Sequence, residues 1–415
     1  MTHPNDALAF AGFAGCASDR EFHWHLGSDT PSQWNRWPGL ASWIWHPDPD
    51  CSVRPLDGPD IVRDLVMGGG WLILGDSISE GHFFSLSCTL FPHVIATPNY
   101  TQNPYFDRAW PQHLYLSPSS PLIPLLQKEG FPPGYSIADT PLVTFRRVDL
   151  LMSQEELNEL YVDEWLERED GEALGDSETV EMSPEGEENP YAPLFSTEQA
   201  WSLSPSEYLP LFLSPSSPPS HLHYSTLILS TAGHWTTTLL HAFRDESLGD
   251  DAGYGIAGVL GFFERAMAVW AGRVQEAVDE YNRGKSLIFV LFSNSSLQST
   301  KPTSRRPKTV VVRAYLPGHE DCHDQREPWT EVLPYRWKWY NWPWVGEFNR
   351  VFENILSSPS YPDIHFLPID RPARLRPDAH ATGDCLHIIA GPGVLEGWTH
   401  YMWHYVTREV GAWVR

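Results

Sequence analysis

The sequence predicts an α/β fold in which a mostly parallel sheet carries a functional site at one edge. Two apolar runs, residues 71–74 and 225–230, have the length of buried strands, and each ends in glycine and polar residues. A long helical pattern over residues 256–282 follows the second run and precedes another apolar run at 287–292, a spacing typical of a right-handed parallel crossover. The 415 residues suffice for one large domain with insertions, which we favour, or for two smaller domains.

The composition argues against several classes of partner. The chain carries 53 Asp and Glu against 28 Lys and Arg, a formal net charge of -25. Because phosphate backbones and anionic lipids bind basic patches, we expect no nucleic-acid partner and no anionic-membrane surface. No apolar run reaches the ~18 residues of a membrane span, and residues 1–13 lack the charged start and apolar core of a signal peptide. Either a targeting segment is absent from this sequence or the protein is cytosolic.

The cysteines leave the compartment open. They are widely spaced, and no Cys-x-x-Cys pair suggests a zinc site. They are Cys16, Cys51, Cys88, Cys322 and Cys385.

A strand, a tight turn and a helix organise the first part of the chain. Residues 1–60 are rich in Trp, Pro, Asp and His with little periodicity, so we expect a looped segment packed on the domain. A short helix over residues 61–67 leads to the strand at 71–74. This strand runs into Gly75-Asp76-Ser77, and residues 78–90 follow with the pattern of a helix.

The turn gives Ser77 the position of a nucleophile. A serine between a strand and a helix lies at the carboxyl edge of a sheet, where unpaired backbone N–H groups and the helix dipole stabilise an oxyanion. Glycine, aspartate and serine also favour turns and N-caps, so a plain turn is the competing interpretation. On its own, the three-residue motif favours the plain turn, because motifs of this composition recur by accident.

The middle of the chain alternates structured and loop segments. A strand is predicted at residues 142–145, and a helix begins at Ser153, where Ser153 and Glu156 form a capping box. Residues 167–190 are acidic, polar and small, which predicts a flexible surface insertion, with a charged regulatory tail as the alternative. Pro- and Ser-rich sequence over 203–220 continues this loop up to the next strand.

Further site candidates follow the strand at residues 225–230. That strand ends in Thr231-Ala232-Gly233-His234-Trp235, and ligand crevices of open α/β sheets form at the carboxyl ends of strands. His234 is therefore a candidate site residue, although packing against Trp235 explains a histidine there equally well.

The last third of the chain contains two more strands, a closing helix and two ambiguous motifs. Strands are predicted at residues 309–315 and 363–367, and a helix at 395–410. Residues 319–324, HEDCHD, look like a metal cluster, but their spacing matches no common site and favours a polar loop with a half-cystine, so we expect no metal. The aromatic run 335–344, YRWKWYNWPW, suits sugar rings, although core or loop packing is the favoured interpretation.

Asp384 and His387 are the partners that a nucleophilic Ser77 requires. A serine hydroxyl needs a histidine to accept its proton and a carboxylate to fix the tautomer of that histidine. If residues 384–387 form one turn, the Asp384 carboxylate reaches the His387 ring. A capping aspartate and a core histidine would give the same spacing, but the two motifs occur together in the order that this chemistry uses.

Five blocks of the sequence resemble the PC-esterase family, which includes the plant trichome-birefringence-like polysaccharide O-acetyltransferases. GDSISEGHFFSLSCTL resembles the family's GDS block, and WIWHP before Cys51 resembles its W-x-W-x-P-x-x-C segment. LILSTAGHW, RPDAH and DCLHIIAGPGVLEGW are similar to its VLVFNTGHWW, R-x-DAH and DCxHWCLPGxxDxW blocks. The five blocks occur in register along most of the chain.

The resemblance implies an SGNH-like three-layer α/β/α sandwich with long loop insertions, formed by residues 61–415. It implies that Ser77 is the nucleophile, that His387 is the base and that Asp384 orients the base. The matched blocks also supply the residues expected to bind the oxyanion or the substrate. These are Asp76, Thr231, Gly233, His234, Trp235 and Arg376.

The resemblance also implies a compartment. It pairs Cys16 with Cys51 and Cys322 with Cys385 in disulfides, and it leaves Cys88 unpaired. Disulfides indicate the secretory pathway, so the Golgi lumen or secretion is the expected location. Family members usually carry a membrane anchor, and this sequence contains no such segment.

Two departures from the family pattern bear on activity. Where the family has Arg-Asn-Gln, this chain has Glu80-Gly81-His82, and the asparagine expected to help form the oxyanion hole is Thr231. Threonine donates one O–H bond with a shorter reach, so oxyanion stabilisation would depend more on backbone N–H groups at the nucleophile and near Gly233. These changes are consistent with a weakly active member or with a different acceptor.

The expected function is transfer of an acetyl group to carbohydrate through an acetyl-Ser77 intermediate. A carbohydrate acetylesterase of the same fold is one alternative, and a catalytically impaired carbohydrate-binding or wall-architecture protein is another. The expected partners are a polysaccharide or oligosaccharide substrate and a membrane-bound partner that would deliver acetyl groups. No cofactor is expected, and the sequence determines neither the acetyl donor nor the oligomeric state.

Overall fold

A seven-stranded mixed sheet forms the centre of the protein. The structure, a computed structural model, describes residues 1–18, 20, 30–46, 48, 50–97, 111–173, 193–214, 222–283, 307–381 and 383–410. The strands are β1 (Gly70–Gly75), β2 (Val94–Thr97), β3 (Gln112–Leu116), β4 (Pro141–Arg147), β5 (Tyr224–Ser230), β6 (Thr309–Arg313) and β7 (Ile364–Leu367). Their order is β2-β3-β4-β1-β5-β6-β7; β4, β1, β5, β6 and β7 run parallel, while β2 and β3 pair antiparallel. The predicted α/β fold with a mostly parallel sheet is confirmed.

Helices pack on both faces of this sheet. In chain order they are α1 (Asp6–Phe10), α2 (Gly58–Gly68), α3 (Ser77–Thr89), α4 (Ile123–Glu129), α5 (Gln154–Ala173), α6 (Pro205–Phe212), α7 (Ile256–Asn282), α8 (Val345–Leu356), α9 (Arg371–Arg374) and α10 (Val394–His404). Helix α3 packs on β1 and β4 and contacts α10, whereas α7 contacts α5, α6 and α8. None of the helices that the structure describes is long and apolar enough to cross a bilayer.

Strand β1 lies at the point where the sheet topology reverses. Its parallel neighbours are β4 on one side and β5 on the other, so every residue of β1 is buried, as its continuous apolar sequence predicts. Gly75 pairs with Arg147 of β4 and with Ser230 of β5, which brings the ends of three strands level. Ligands of open α/β sheets bind at such a switch point, outside the carboxyl ends of the strands.

Helix α7 supplies much of the core beside the sheet. Its apolar residues recur at helical spacing, and Phe263 and Trp270 are fully buried. Phe263 contacts Phe348 and Phe352 of α8 with ring centroids 4.9 and 5.4 Å apart. Each such side chain contributes about 1.5–3 kcal/mol by leaving water, so the contact between these two helices is a large part of the core on this face.

The predicted strands and helices within the described residues agree with the structure to within a few residues. Seven elements were not predicted; they are α1, β2, β3, α4, α6, α8 and α9. Helix α6 lies inside the 203–220 segment expected to be a loop, because Ser204 caps it and Pro205 suits its first position. Strands β2 and β3 and helix α4 lie in the Pro- and aromatic-rich stretch after α3, where short, half-exposed segments give weak periodicity. Helix α5 continues to Ala173, into the segment expected to be flexible, because Glu, Leu and Arg are good helix formers. The remainder of that acidic segment, residues 174–190, lies outside the described residues.

The expected crossover strand at residues 287–292 also lies outside the described residues. Among those described, the next strand parallel to β5 is β6, which follows helix α7. In the N-terminal 60 residues, the described parts contain α1 and two 3-10 turns, at Pro31–Arg36 and Gly39–Ala41. Trp37 and Leu40 are buried there together with Ile389.

One of the two expected disulfides has a different partner. Cys16 is bonded to Cys88, not to Cys51, whose thiol is free and exposed. The Ala17 N–H donates to the Ser87 carbonyl at 3.0 Å, so the chain at Cys16 runs beside the last turn of α3, where Cys88 is buried. The Cys322–Cys385 disulfide is as expected. Two disulfides indicate an oxidising compartment.

Candidate functional site

Ser77 is the first residue of α3, directly after the turn that ends β1. Asp76 is the N-cap of this helix, and its Oδ1 accepts a hydrogen bond from the Ile78 N–H at 3.0 Å. Gly75 has no room for a side chain, because a Cβ there would overlap Ser79 and the Ser230 carbonyl. The turn therefore requires glycine for its close contacts, and it places Ser77 at the amino end of a helix, where N–H groups lack intrahelical acceptors.

The structure brings Ser77, His387 and Asp384 together. His387 Nε2 lies 2.7 Å from Ser77 Oγ, and His387 Nδ1 lies 2.8 Å from Asp384 Oδ2. The acceptor-only carboxylate implies that Nδ1 carries the proton, so Ser77 donates to Nε2. The second carboxylate oxygen, Asp384 Oδ1, accepts from the backbone N–H groups of Leu386 and His387 at 2.8 and 2.7 Å.

This turn keeps the Asp384 carboxylate ionised. Burial alone would raise its pKa, but the hydrogen bond and charge of His387 and the two backbone N–H groups outweigh burial and hold the pKa well below its ordinary value. The arrangement fixes the His387 tautomer that accepts a proton from serine. The side chains of Asp384 and His387 are 44% and 28% exposed, so solvent reaches this part of the site.

Asp149 holds a second polar cluster at the same sheet edge. It follows β4, its side chain is fully buried, and Arg147 donates to it at 2.8 Å. His234 Nε2 lies 3.4 Å from the same Asp149 oxygen. Burial alone would lower the Arg147 pKa, but the Asp149 carboxylate outweighs it and raises that pKa. Sequence reasoning missed Arg147 and Asp149; the available signal was two charged residues at, and just after, the end of a buried strand.

Two residues expected to contact an oxyanion or a substrate are instead buried and committed to other contacts. The Thr231 hydroxyl donates its proton to the Asp149 carbonyl at 2.7 Å and accepts from Trp235 Nε1 at 3.0 Å. It has no second proton for an oxyanion. The Trp235 ring is fully buried against Phe263 of α7, with centroids 4.8 Å apart, so it packs in the core. His234 is the partly exposed member of this turn.

Arg376 holds segments of the chain together. Its guanidinium pairs with both oxygens of Asp378, at 2.9 and 2.8 Å. The same group donates to the carbonyls of Pro392 and Leu40 at 2.5 and 2.7 Å. Each of its nitrogens is therefore engaged, and the expected substrate contact finds no support in this geometry.

Asp76 and Gly233 are both in contact with Tyr315, which follows β6. The Tyr315 hydroxyl donates to Asp76 Oδ2 at 2.5 Å, and a Cβ on Gly233 would overlap that hydroxyl. Burial, and next the Asp76 charge, raise the Tyr315 pKa well above its ordinary value, so the phenol keeps its proton. Asp76 is 1% exposed with both oxygens occupied. Its contacts therefore hold the turn that carries Ser77.

A buried arginine contacts the first turn of α3, the helix that begins at Ser77. Arg313, at the end of β6, donates to the Ser79 hydroxyl at 3.3 Å and to the Ala314 carbonyl at 3.0 Å. Its guanidinium lies 4.0 Å from the centroid of the Trp398 ring. Burial lowers its pKa to about 10, so it remains charged at neutral pH. Sequence reasoning missed Arg313. The available signal was an arginine at the end of a strand of β-branched residues, where side chains reach the edge of the sheet that carries the site.

The three residues that stand where the family has Arg-Asn-Gln lie inside the molecule. Glu80 accepts hydrogen bonds from Arg20 and Gln112 at 2.9 and 2.8 Å. His82 lies 2.9 Å from the Thr399 hydroxyl of α10 and is fully buried, which lowers its pKa to about 3. A Cβ on Gly81 would meet only ordinary contacts. Glu80 and His82 thus join α3 to its neighbours.

A pair of histidines lies behind the Asp384–His387 turn. His319 Nδ1 and His380 Nε2 are 2.6 Å apart, His319 Nε2 is 2.9 Å from the Arg374 carbonyl, and His380 Nδ1 is 3.2 Å from the His387 carbonyl. Two neutral rings carry two protons, so one of these three contacts has no donor proton when both rings are neutral. Burial lowers the pKa of His319 to about 4 and that of His380 well below its ordinary value, so both are neutral at pH 7.

The motif at residues 319–324 does not present a thiolate metal site. Cys322, His323 and Cys385 lie close together, but the two sulfurs form a disulfide. His323 Nε2 lies 3.2 Å from the Ala381 carbonyl. The favoured interpretation, a polar loop with a half-cystine, agrees with this geometry.

No protein-family model and no curated protein matches this chain. The resemblance to the PC-esterase family therefore rests on the five sequence blocks, and functional assignment depends on the geometry of the site.

Proposed function

We propose that this protein is a serine-dependent acyltransferase that moves an acetyl group onto a carbohydrate hydroxyl. The observation that carries the proposal is the hydrogen-bonded series Ser77–His387–Asp384, with 2.7 and 2.8 Å between its heavy atoms. The SGNH-like, PC-esterase-type assignment is part of the same proposal. It is supported by the five sequence blocks and by the α/β sheet that carries Ser77 at its switch point.

The proposed reaction has two steps. His387 Nε2 takes the Ser77 proton while Ser77 Oγ attacks the acetyl carbonyl, and the leaving group then receives that proton. The acetyl-Ser77 ester is next attacked by a sugar hydroxyl, whose proton passes to His387. His387 then gives this proton to Ser77 Oγ as the ester bond to Ser77 breaks. Asp384 stays ionised and stabilises the imidazolium that forms in both steps.

Oxyanion stabilisation in this proposal depends on the backbone. Ser77 is the first residue of α3, so its N–H has no intrahelical acceptor and carries the positive end of the helix dipole. The Gly233 turn lies at the same sheet edge. Because the Thr231 proton is donated to Asp149, a side-chain donor at that position is not part of the mechanism.

Hydrolysis is the second candidate activity. The exposed fractions of Asp384 and His387 favour it, since water that reaches the acetyl-enzyme competes with a sugar hydroxyl. An esterase and a transferase would share the Ser77 step and differ in the second one.

A location in the Golgi lumen or outside the cell is also part of the proposal. It is supported by the two disulfides.

One experiment tests the proposal and separates the two activities. Purified protein is mixed with an acetylated polysaccharide donor and an unacetylated oligosaccharide acceptor, and both products are followed by mass spectrometry beside a Ser77→Ala control. Acetyl groups on the acceptor support a transferase, and free acetate alone supports an esterase. Equal turnover by the Ser77→Ala protein would exclude the serine mechanism.

A further inference from the structure

A cavity lies beside the loop that leaves β5. Its volume is about 740 Å³, within the ~300–1,000 Å³ range of ligand sites. Thr236, Thr237 and Thr238 line it directly after the buried Trp235, and Asn341, also in the lining, donates to the Trp235 carbonyl. The cavity is thus joined to the carboxyl edge of the sheet, the edge that carries Ser77.

Aromatic rings and polar groups alternate in the lining. Trp337, Trp344 and Tyr254 contribute rings, all of them partly exposed. Threonine hydroxyls, an amide and charged groups surround those rings. Rings beside hydrogen-bonding groups match a sugar, whose C–H face packs on an aromatic plane while its hydroxyls form hydrogen bonds.

The cations of this cavity already have carboxylate partners. Lys338 Nζ lies 2.9 Å from Asp250, and Arg336 Nε lies 2.7 Å from Glu320. The third, Arg244, lies 2.7 Å from Glu246. An anionic ligand would have to displace these carboxylates, in a protein whose net charge is -25. Neutral ligands do not face that cost.

The backbone around the cavity adopts unusual conformations. Within the described parts of the chain, three non-glycine residues have φ in the left-handed region, and two of them, Tyr254 (53°) and Asn341 (59°), line the cavity. The third, Asp321 (52°), pairs with Arg336 of the lining at 2.9 Å. Such conformations are unfavourable for a bulky residue such as tyrosine, and they cluster at ligand sites.

From these four observations we infer that the cavity is a binding subsite for a neutral sugar ring of the carbohydrate substrate. Trp337 and Trp344 provide the stacking surfaces, and the paired charges select against uronic acids and other anionic sugars. The inference rests on the proposed function, which it extends by naming the substrate class and the place where the chain of sugars is held.

The test is calorimetric titration of the Ser77→Ala protein, which binds without turnover. Neutral β-1,4-linked hexasaccharides of xylose, glucose and mannose are compared with hexagalacturonate. At least one neutral hexasaccharide is expected to bind more tightly than the anionic one. Adding Trp337→Ala, or Thr238→Arg at an exposed position of the lining, is expected to weaken that binding about tenfold. Trp45→Ala, an exposed tryptophan that does not line the cavity, is the matched control.

Two results would overturn the inference. One is hexagalacturonate binding as tightly as every neutral probe, or no neutral probe binding at all. The other is unchanged affinity in both the Trp337→Ala and the Thr238→Arg proteins. Release of p-nitrophenol from p-nitrophenyl acetate by the protein with Ser77 intact is measured separately. Turnover of this ester without sugar binding would contradict only the inferred subsite. Sugar binding without turnover would contradict only the proposed function.

Discussion

Tyr315 donates a 2.5 Å hydrogen bond to Asp76, the residue that caps the helix beginning at Ser77. The two residues are far apart in the sequence and meet because β6 and β1 end at the same edge of the sheet. The contact joins the nucleophile turn to a second strand, so the orientation of Ser77 depends on a residue outside its own motif.

Replacing Tyr315 by Phe is expected to destabilise the protein by about 1–3 kcal/mol, because a buried carboxylate oxygen loses its donor. Urea unfolding measures this change, and ester turnover should fall with it. Tyr361→Phe is the matched control, since Tyr361 lies near the opposite end of the sheet, just before β7. Equal stability of the two variants would contradict the assigned role of Tyr315.

Asp384→Asn is expected to lower ester turnover by about 10³–10⁴ while the protein stays folded, because asparagine no longer fixes the His387 tautomer. Labelling of Ser77 by a fluorophosphonate should slow in parallel, which gives a readout independent of substrate. Asp139→Asn, which changes an exposed carboxylate, controls for loss of charge. Turnover within threefold of the parent protein would rule out Asp384 as the orienting residue.

Stability is expected to fall on acidification through His82. Its folded pKa of about 3 lies below the ~6.5 of an unfolded histidine, so the unfolded chain takes up a proton that the folded protein excludes. The stabilisation is therefore complete above pH ~6.5 and is lost as the pH falls towards 3. Between pH 7 and pH 4 the loss is on the order of 3 kcal/mol.

Urea unfolding at several pH values checks this prediction. The His82→Gln protein should lose less stability than the parent over the same range, whereas His241→Asn, at an exposed histidine, should follow the parent. Parallel pH curves for the parent and His82→Gln proteins would show that His82 is protonated in the folded state.

The disulfide pairing can be tested by counting free thiols and by mapping the linked peptides. The native protein should react with one equivalent of a thiol reagent, at the exposed Cys51, and peptide mapping should recover Cys16 linked to Cys88. A Cys16–Cys51 peptide would restore the pairing that the family resemblance implies.

The two disulfides are expected to differ in their effect on activity. Removing either pair by Cys→Ala should cost about 2–4 kcal/mol of stability, since they span similar loops of 63 and 72 residues. Cys385 lies between Asp384 and His387, so loss of the Cys322–Cys385 bond should also lower turnover. Equal loss of turnover in both double variants, measured at a temperature where both are folded, would show that the bond does not position the turn.

The sequence by itself determined the central strands, the long helices and the members of the hydrogen-bonded series. The run before Gly75 is continuously apolar because β1 is buried on both faces, a local signature that needs no knowledge of its neighbours. Ser77, Asp384 and His387 were recognisable because serine chemistry requires those residue types. Asp384 and His387 also lie three residues apart, within one turn.

Only the tertiary structure decided which candidates contact one another. Thr231, Trp235 and Arg376 are polar or aromatic residues in matched blocks, and their burial became visible only once Asp149, α7 and Leu40 were placed around them. The pairing of Cys16 with Cys88 is of the same kind. Such contacts join residues far apart in the chain, and hydrophobic periodicity reports only the local face of a strand or helix, so these partners had to come from the fold.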